Sequence, residues 1–204
     1  MKSTTVYLST AYLAPVAYYM QICANSKIVI ENHCNYIKQT YRNRCIIASA
    51  NGLQTLSIPV EKSATKCLTK DIRIAEHGNW RHLHWNAIKS AYNSTPFFEY
   101  YEDDLIGFFE KKYDFLFDFN ESLRLKLFEL LDIEPDVVYS SEYKTDFLAN
   151  EVDCRELIHP KKEFMENSFK PYYQVFESRF GFQPNLSIID LLFNMGPESV
   201  LFLD

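Results

Sequence analysis

The dipeptide Asn51-Gly52 limits the fold of this chain more than any other local feature, because it stands between two apolar segments. Residues 44–48 and 53–58 are rich in β-branched and apolar side chains, as strands are. Asn and Gly both tolerate a positive φ, so the dipeptide predicts a type I′ turn that joins the segments in a β-hairpin. Pro59 would end the second strand, since it has no amide hydrogen to donate.

The segment before this hairpin predicts a βαβ unit. Residues 6–8 form a short apolar run that is typical of a strand. Pro15 suits the first turn of a helix that continues through Cys23 with apolar side chains at helical spacing. Residues 27–30 form a second apolar run, and the helical connection predicts that the two strands are parallel.

From Trp80 onward the apolar spacing is that of helices. The first helix, residues 80–93, would bury a face that carries Trp80, Leu83, His84, Ala87, Ile88 and Ala91. Helices are also predicted over residues 97–112 and over residues 120–131, where Asn120 is a candidate N-cap. Residues 137–139 then predict a late strand that joins the sheet.

Two more helices are predicted near the end of the chain. Pro171 suits the first position of a helix that continues to residue 180 and ends at Gly181. Ser187 and Asp190 have the spacing of a capping box, which indicates a helix ending before residues 196–197. The predicted fold class is therefore α/β, with a βαβ opening and a small mixed sheet including a β-hairpin, followed by a mostly helical C-terminal half.

The bulk properties predict a single domain in the cytoplasm. No repeat, linker or low-complexity segment divides residues 1–204. Apolar runs fall short of the roughly 20 residues that a membrane span needs, and the N-terminus lacks the apolar core of a secretory signal. The five cysteines include no CxxC pair, which favours reduced thiols over disulfides or a thiolate zinc site.

The charges are unevenly distributed along the chain. Residues 1–100 carry 11 basic and 5 acidic side chains, whereas residues 101–204 carry 10 and 22. The basic half is the better place to look for an anionic ligand, unless the two halves mingle in space and their fields cancel. The isoelectric point near 5.4 argues against nucleic acid as a partner.

The densest polar run is YIKQTYRNR, residues 36–44. If it is extended, Lys38, Arg42 and Arg44 lie on one face together with Tyr36 and Thr40. Three cations at this spacing repel one another unless an anion lies among them, and arginine binds phosphate or carboxylate with two parallel hydrogen bonds. The run predicts a phosphate or sugar-phosphate site, and the alternative is a solvated edge strand protected by its charge.

Three histidines, His77, His82 and His84, lie close together in the sequence. On a helix, residues two apart point in nearly opposite directions, so His82 and His84 cannot share a metal ion. A metal site built from Glu76, His77 and His82 rests on spacing alone. His84 lies on the apolar face, where it is either a hydrogen-bonded core histidine or a general base.

Five segments together resemble the WbqC-like family, in the form found in Bacteroides-type bacteria. They are TAYLAPVAYY, YIKQTYRNRC, NGLQTLSIPV, NWRHLHWNAIKSAYNSTPFFEYYEDDL and GFQPNLSIIDLLFNMGPES. They occur in the family's order and span about residues 5 to 200. Family members occur in gene clusters for O-antigen and other bacterial surface polysaccharides. The resemblance therefore implies a role in making such a polysaccharide.

The resemblance also implies site residues. The positions that match the family's motifs are Tyr12, Pro15, Lys38, Gln39, Tyr41, Arg42, Asn43, Arg44, Trp80, His84, Tyr92, Asn185, Asp190 and Asn194. His84 is the candidate catalytic residue, which would take a proton from an attacking amine or hydroxyl. The candidate substrate-binding residues are Tyr12, Lys38, Gln39, Tyr41, Arg42, Asn43, Arg44 and Tyr92.

Three functions remain as alternatives. The first is a transferase that acts on a phosphorylated, nucleotide-linked or lipid-linked sugar, for example by glycyl or other aminoacyl transfer. The second is a binding or assembly protein without catalysis that uses an aromatic surface at residues 97–101. The third is the metal-dependent hydrolase built from Glu76, His77 and His82. No cofactor is implied, and the oligomeric state is left undetermined.

Overall fold

The computed structural model describes residues 4–61, 66–162 and 169–204. The strands are β1 (Thr5–Ser9), β2 (Lys27–Glu31), β3 (Arg44–Ser49), β4 (Gly52–Ser57), β5 (Val137–Tyr139) and β6 (Glu151–Asp153). The helices are α1 (Val16–Ala24), α2 (Trp80–Tyr92), α3 (Phe98–Glu110), α4 (Leu116–Leu130), α5 (Glu177–Phe180) and α6 (Ile188–Met195). In the described residues, 3-10 helices also cover Thr69–Asp71 and Gly196–Phe202.

The central element is a four-stranded parallel sheet with strand order β5-β2-β1-β6. The predicted parallel pair is present, with Val6 opposite Ile28 and Leu8 opposite Ile30. These four side chains are fully buried, and their apolar, mostly β-branched character is why the two strands could be predicted. The α/β fold class is therefore confirmed, as is the late strand β5 that pairs with β2.

Strand β6 was not predicted. It pairs with β1 in parallel and completes the sheet on the side away from β2. Its three residues, Glu-Val-Asp, show none of the apolar patterning that marks a strand, and its Val152 is exposed. Only the pairing with β1 makes this segment a strand.

The predicted hairpin is present as a separate two-stranded sheet, β3 with β4. Its turn differs from the prediction, because Ser49 pairs with Gly52 and the two turn residues are Ala50 and Asn51. Gly52 has a positive φ of 102°, whereas Asn51 does not, so the turn is not type I′. The Ser49 side chain stabilises the turn by a 2.7 Å hydrogen bond to the Gly52 carbonyl.

Helix α4 begins before its predicted start. It starts at Leu116, so Asn120 lies inside the helix and is not its N-cap. In α2, Leu83 is exposed, and Trp85 and Tyr92 are buried instead, because the buried face is rotated relative to the predicted one. Tertiary packing against several neighbours decides which face is buried, and the periodicity of one helix does not.

The predicted helix over residues 171–180 is wrong for most of its length, because only Glu177–Phe180 is helical. The segment before it is held by side chains, since Gln174 Oε1 accepts a hydrogen bond from the Gln183 amide. Helix α6 begins after Ser187 as predicted, but the capping box is absent. The Ser187 hydroxyl donates instead to the carbonyl of Leu13, 2.7 Å away, and so fastens α6 to the loop after β1.

The core joins the sheet, the hairpin and the helices through aromatic side chains. Phe119 contacts Tyr12, Trp80, Phe109 and Tyr113. All five cysteines are free, and Cys34, Cys45 and Cys154 are buried. Within the described residues, no helix has both the length and the apolar character to cross a membrane.

Replacing Gly196 by Ala should destabilise the protein by about 2 to 4 kcal/mol. Gly196 ends α6 with a φ of +56°, and a Cβ there would come within 2.5 Å of the Phe97 ring. Gly107→Ala is the matched control, because this exposed helical glycine has nothing within 4 Å of an added Cβ. Urea unfolding of both variants checks this, with Gly107→Ala expected to gain about 0.5 to 1 kcal/mol. Equal effects would contradict the packing of α6 on Phe97.

Candidate functional site

The strand order of the parallel sheet reverses between β1 and β6, because β1 has β2 on one side and β6 on the other. The chain therefore leaves the carboxyl ends of β1 and β6 toward different parts of the fold. A crevice forms outside the carboxyl ends of strands at such a reversal, and ligands of open α/β sheets bind there. The residues that end or follow β1, β2, β5 and β6, at the carboxyl edge of the sheet, therefore form the candidate site.

A narrow cleft lies at this edge between residues 8–11, residues 40–42 and residues 154–158. We call it the arginine cleft, because Arg42 and Arg155 both line it. Its enclosed volume of about 10 Å³ corresponds to roughly one water molecule. A ligand of any size would therefore have to displace a side chain to enter it.

Arg42 has almost no contact with water. Its Nη2 donates to Ser9 Oγ at 2.8 Å and to Glu156 Oε1 at 2.6 Å, and its Nη1 lies 3.4 Å from Thr40 Oγ1. Its Nε is buried and has no hydrogen-bond partner. The Arg42 side chain is 2% exposed, whereas the side chain of Glu156 is 45% exposed. The guanidinium is therefore fixed, and its carboxylate partner can move into solvent.

Residues 36–43 form turns that bring Arg42 to the cleft. Gln39 has a positive φ of 62°, and the Thr40 hydroxyl donates to the Ile37 carbonyl at 2.9 Å. Asn120 of α4 donates to the Arg42 carbonyl at 2.8 Å. The run is therefore not extended, so the condition under which Lys38, Arg42 and Arg44 would share one face is not met. Local side-chain hydrogen bonds favour turns over a ladder here.

Arg155 is a second buried arginine at the same edge. It donates to Glu31 Oε2 at 3.0 Å, and its Nε and Nη2 donate to the two oxygens of Asp153. Glu31 ends β2 and is fully buried, and it also accepts hydrogen bonds from the Ser140 hydroxyl and the His33 amide. Arg155 thus joins the loops that follow β2, β5 and β6.

A wider cleft of about 340 Å³ lies beside the arginine cleft. Its walls are His33, Cys34, Asn35, Ile37, Tyr143 and Glu156, and we call it the Tyr143 cleft. Cys34 and Glu156 both contact the Arg42 guanidinium, at 3.7 Å and 2.6 Å. Arg42 and Glu156 therefore separate the two clefts.

The structure brings two of the predicted substrate-binding residues, Tyr41 and Arg42, into the wall of the arginine cleft. Burial raises the pKa of Tyr41 to about 12, so its hydroxyl stays protonated. Lys38 and Gln39 are exposed on the preceding turn, and Arg44 begins β3. The role of these three side chains in ligand binding stays a prediction.

The other three predicted binding residues have structural partners. The Asn43 amide group donates to the Ile58 carbonyl at 2.9 Å and so ties the turn to the end of β4. Tyr12 is fully buried, and its amide donates to the Tyr41 carbonyl at 2.8 Å. Tyr92 is also fully buried and donates to Asp190. Their contacts support the fold around the site.

His84 lies in the core next to Tyr12. Its Nδ1 is 2.9 Å from the Tyr12 hydroxyl, and its ring stacks on the Tyr12 ring. Burial lowers the pKa of His84 to about 4, and a hydrogen bond with the Ser57 backbone acts in the opposite direction. His84 lines neither cleft at the carboxyl edge. These are the contacts of a core histidine, and its catalytic role stays a prediction.

Asp190 forms a second buried polar cluster, away from the sheet edge. Its carboxylate accepts hydrogen bonds from Tyr92 at 3.0 Å, Tyr172 at 2.7 Å and Gln174 at 2.9 Å. Burial raises the pKa of Asp190 to about 6, although the three donors favour the charged form. The cluster therefore connects α2, α6 and the segment before α5 through the Asp190 carboxylate.

The alternative metal site is not formed. Glu76 binds Arg81 through both carboxylate oxygens, and His82 is hydrogen-bonded to Asn86. Among the described residues, no group of three or more His, Cys, Asp or Glu side chains is arranged to hold a metal ion. The predicted role of Glu76, His77 and His82 in hydrolysis therefore lacks a site in this part of the chain.

The alternative aromatic contact surface is also not formed. Phe98 and Tyr101 are buried in the core, at 1% and 4% exposure, and Phe97 packs partly against it. Tyr100 alone among these aromatic residues is strongly exposed, at 77%. The segment 97–101 is therefore mainly core, because α3 packs this side against α2 and α6.

Most of the residues at the carboxyl edge were not predicted from the sequence. Ser9 ends β1 and Thr10 follows it, and Arg155 and Glu156 come shortly after β6. The position of Ser9 after a predicted strand was a usable signal, because the carboxyl ends of parallel strands meet at one edge. Arg155 and Glu156 offered no such signal, since β6 itself could not be predicted.

When the pH falls from about 7.5 to about 4.5, the wild-type protein should lose about 2 to 3 kcal/mol more stability than the variant His84→Gln. The pKa of His84 is lowered in the folded state, so the unfolded chain takes up the proton first and stability falls as the pH drops below about 6.5. A glutamine can replace both hydrogen bonds without titrating. Urea unfolding at both pH values measures the difference, and a constant difference would contradict the burial of a neutral His84.

Comparison with known proteins gives one family and one relative. A model of the WbqC-like protein family matches residues 10–155 and 155–201. The chain is 26% identical over 230 residues to the uncharacterised protein Rv1507c of Mycobacterium tuberculosis (strain ATCC 25618 / H37Rv), with 100% of this chain and 98% of that protein covered. No solved structure matches the chain. Because the family model covers almost the whole chain, this protein belongs to the WbqC-like family.

Proposed function

We propose that the protein is a transferase that acts on a phosphate-bearing sugar in the biosynthesis of O-antigen or another surface polysaccharide. The observation that supports this most directly is the state of Arg42. It is buried at the reversal of strand order, has an unpartnered Nε and is paired with a carboxylate that is half exposed. An arginine in this state suits an incoming anion.

The binding step is an exchange of anions on Arg42. In the free protein, Glu156 is the counterion of the guanidinium. Because Glu156 is 45% exposed, moving it into solvent costs little, whereas leaving Arg42 buried without a partner would cost several kcal/mol. A phosphate oxygen that takes the place of Glu156 keeps the guanidinium paired. Glu156 is a wall of the Tyr143 cleft, so its departure opens the guanidinium to a ligand that enters from that side.

Hydroxyl groups next to Arg42 would complete the phosphate site. Ser9 Oγ and Thr40 Oγ1 both lie within hydrogen-bond distance of the guanidinium. In the free protein the Ser9 hydroxyl donates to the Arg155 carbonyl, and the Thr40 hydroxyl donates to the Ile37 carbonyl. Each can rotate to donate to a phosphate oxygen instead. The site thus offers one fixed cation and two adaptable donors.

Transfer chemistry is supported by the family resemblance, which connects such proteins with gene clusters for surface polysaccharides. In the proposed reaction an amine or hydroxyl of one substrate forms a bond to the activated group of the other, whose leaving group departs with the bonding electron pair while the attacking atom loses its proton. The phosphate site holds the sugar in position. Glycyl or other aminoacyl transfer to the sugar follows from the resemblance alone. His84 as the group that accepts the proton stays part of this proposal.

The variants Arg42→Gln and Glu156→Gln should change anion binding in opposite directions. Arg42→Gln removes the charge that holds phosphate, so affinity for inorganic phosphate and UDP-glucose should fall at least about tenfold. Glu156→Gln removes the competing carboxylate, so affinity for inorganic phosphate should rise about tenfold. Thermal-shift titration measures both, because ligand at 100 times its dissociation constant adds roughly 2.7 kcal/mol of stability.

Arg73→Gln is the matched control, because Arg73 is a half-exposed arginine of the same half of the chain with long contacts to Glu61 and Asp114. It should leave phosphate affinity unchanged. A phosphate affinity that does not respond to Arg42→Gln, or that falls in Glu156→Gln, would sink the anion site. Binding without turnover of nucleotide sugars and amine acceptors would favour the non-catalytic binding protein.

A further inference from the structure

Tyr143 is an exposed aromatic ring in a fixed position. It is 52% exposed, and the Arg155 guanidinium carbon lies 4.4 Å from the centre of its ring. Arg155 is itself held by Glu31 and Asp153, so it is a rigid support. A cation over one ring face stabilises the ring's position. About half of the surface of Tyr143 nevertheless stays open to solvent, so the ring is available to a ligand in the Tyr143 cleft.

The other walls of the Tyr143 cleft combine one apolar and several polar side chains. Ile37 is 42% exposed, which is unusual for an isoleucine in a cleft. His33, Asn35 and Glu156 add an imidazole, an amide and a carboxylate. A pyranose has apolar faces and a polar edge of hydroxyl groups that both donate and accept. Such a ring matches an aromatic face together with mixed hydrogen-bonding groups.

The carboxylate of Glu156 favours a sugar over a nucleobase in this cleft. A carboxylate only accepts hydrogen bonds, so it needs a ligand with several donors. The hydroxyl groups of a pyranose supply such donors around the whole ring. A pyrimidine base supplies few of them. Once phosphate has displaced Glu156 from Arg42, the free carboxylate can accept from these hydroxyl groups.

The arginine cleft and the Tyr143 cleft share a wall, so a ligand bound in the first can extend into the second. Cys34 and Glu156 line the Tyr143 cleft and both contact Arg42 Nη2. A phosphate on Arg42 therefore leaves its attached group at the entrance of the Tyr143 cleft. A volume of about 340 Å³ is within the range of small-molecule sites.

We infer that the Tyr143 cleft binds the pyranose ring of a sugar phosphate, with the ring stacked on Tyr143 and its hydroxyl groups bound by Asn35 and Glu156. This inference rests on the proposed phosphate site at Arg42. It adds the substrate class, a sugar whose phosphate is attached directly to the ring. It also makes Tyr143 the residue that separates sugar phosphates from phosphate alone.

The test is the ratio of two affinities in Tyr143→Ala, Tyr143→Phe and the wild-type protein. Calorimetry would measure binding of inorganic phosphate, glucose 1-phosphate, N-acetylglucosamine 1-phosphate and, for comparison, uridine 5′-monophosphate. Tyr143→Ala should lower affinity for at least one sugar phosphate about tenfold and change phosphate affinity less than about twofold. Tyr143→Phe keeps the ring and should behave like the wild type. Tyr100→Ala removes another strongly exposed tyrosine and is the control.

Three other outcomes overturn the inference, and a fourth is decided by Tyr143→Phe. If Tyr143→Ala leaves the ratio unchanged while phosphate still responds to Arg42→Gln, the sugar subsite is wrong and the phosphate site stands. If Tyr143→Ala weakens uridine 5′-monophosphate and neither sugar phosphate, the cleft binds a base. If none of these ligands binds the wild-type protein, the sugar subsite and the proposed function fail together. A loss of phosphate affinity in Tyr143→Ala would show damage to Arg155 and Arg42. The variant Tyr143→Phe then decides whether the ring stacks on the sugar. If it does not restore the affinities for phosphate and for the sugar phosphate, the stacking role is wrong.

Discussion

Two buried arginine side chains, Arg42 and Arg155, hold the carboxyl edge of the parallel sheet together. Arg155 binds Glu31 at the end of β2 and Asp153 at the end of β6. Arg42 binds Ser9 at the end of β1 and Glu156 just beyond β6. Removing a guanidinium from water is costly, so each is retained only where carboxylates and hydroxyls pair with it. The loops at this edge are therefore fixed by the need to satisfy two cations.

The two arginines differ in what they leave available. Arg155 is saturated by two carboxylates and a backbone carbonyl, so it serves as a support for neighbouring groups. Arg42 has a half-exposed counterion and an unpartnered Nε, so part of its hydrogen-bonding capacity can pass to a ligand. A folded protein keeps few buried polar atoms without partners, and those that remain point to strain or to function. This contrast is why the proposed anion site centres on Arg42.

Several parts of the fold and of the site could be predicted from the sequence, for identifiable reasons. The strands β1 and β2, the hairpin and the helices α1 to α3 have local patterns of apolar residues, and local patterns are visible in a single sequence. Arg42 could be selected because it lies in the densest run of cations. Its environment could not be predicted, since the extended form of residues 36–44 competes with turns that Thr40, Asn43 and Asn120 stabilise. Of the three cations in this run, Arg42 is buried, Lys38 is exposed and Arg44 is half-buried.

The sequence by itself determined the α/β class, the parallel pairing of β1 with β2, the hairpin and the membership in the family. Each of these depends on residues near one another in the chain, or on short sequence motifs that can be recognised without a structure. Only the tertiary structure decided that Glu-Val-Asp at residues 151–153 is a strand, that Arg155 and Glu156 reach the site, and that His84 bonds Tyr12 in the core. These outcomes depend on contacts between residues more than 70 positions apart, whose geometry no local pattern contains.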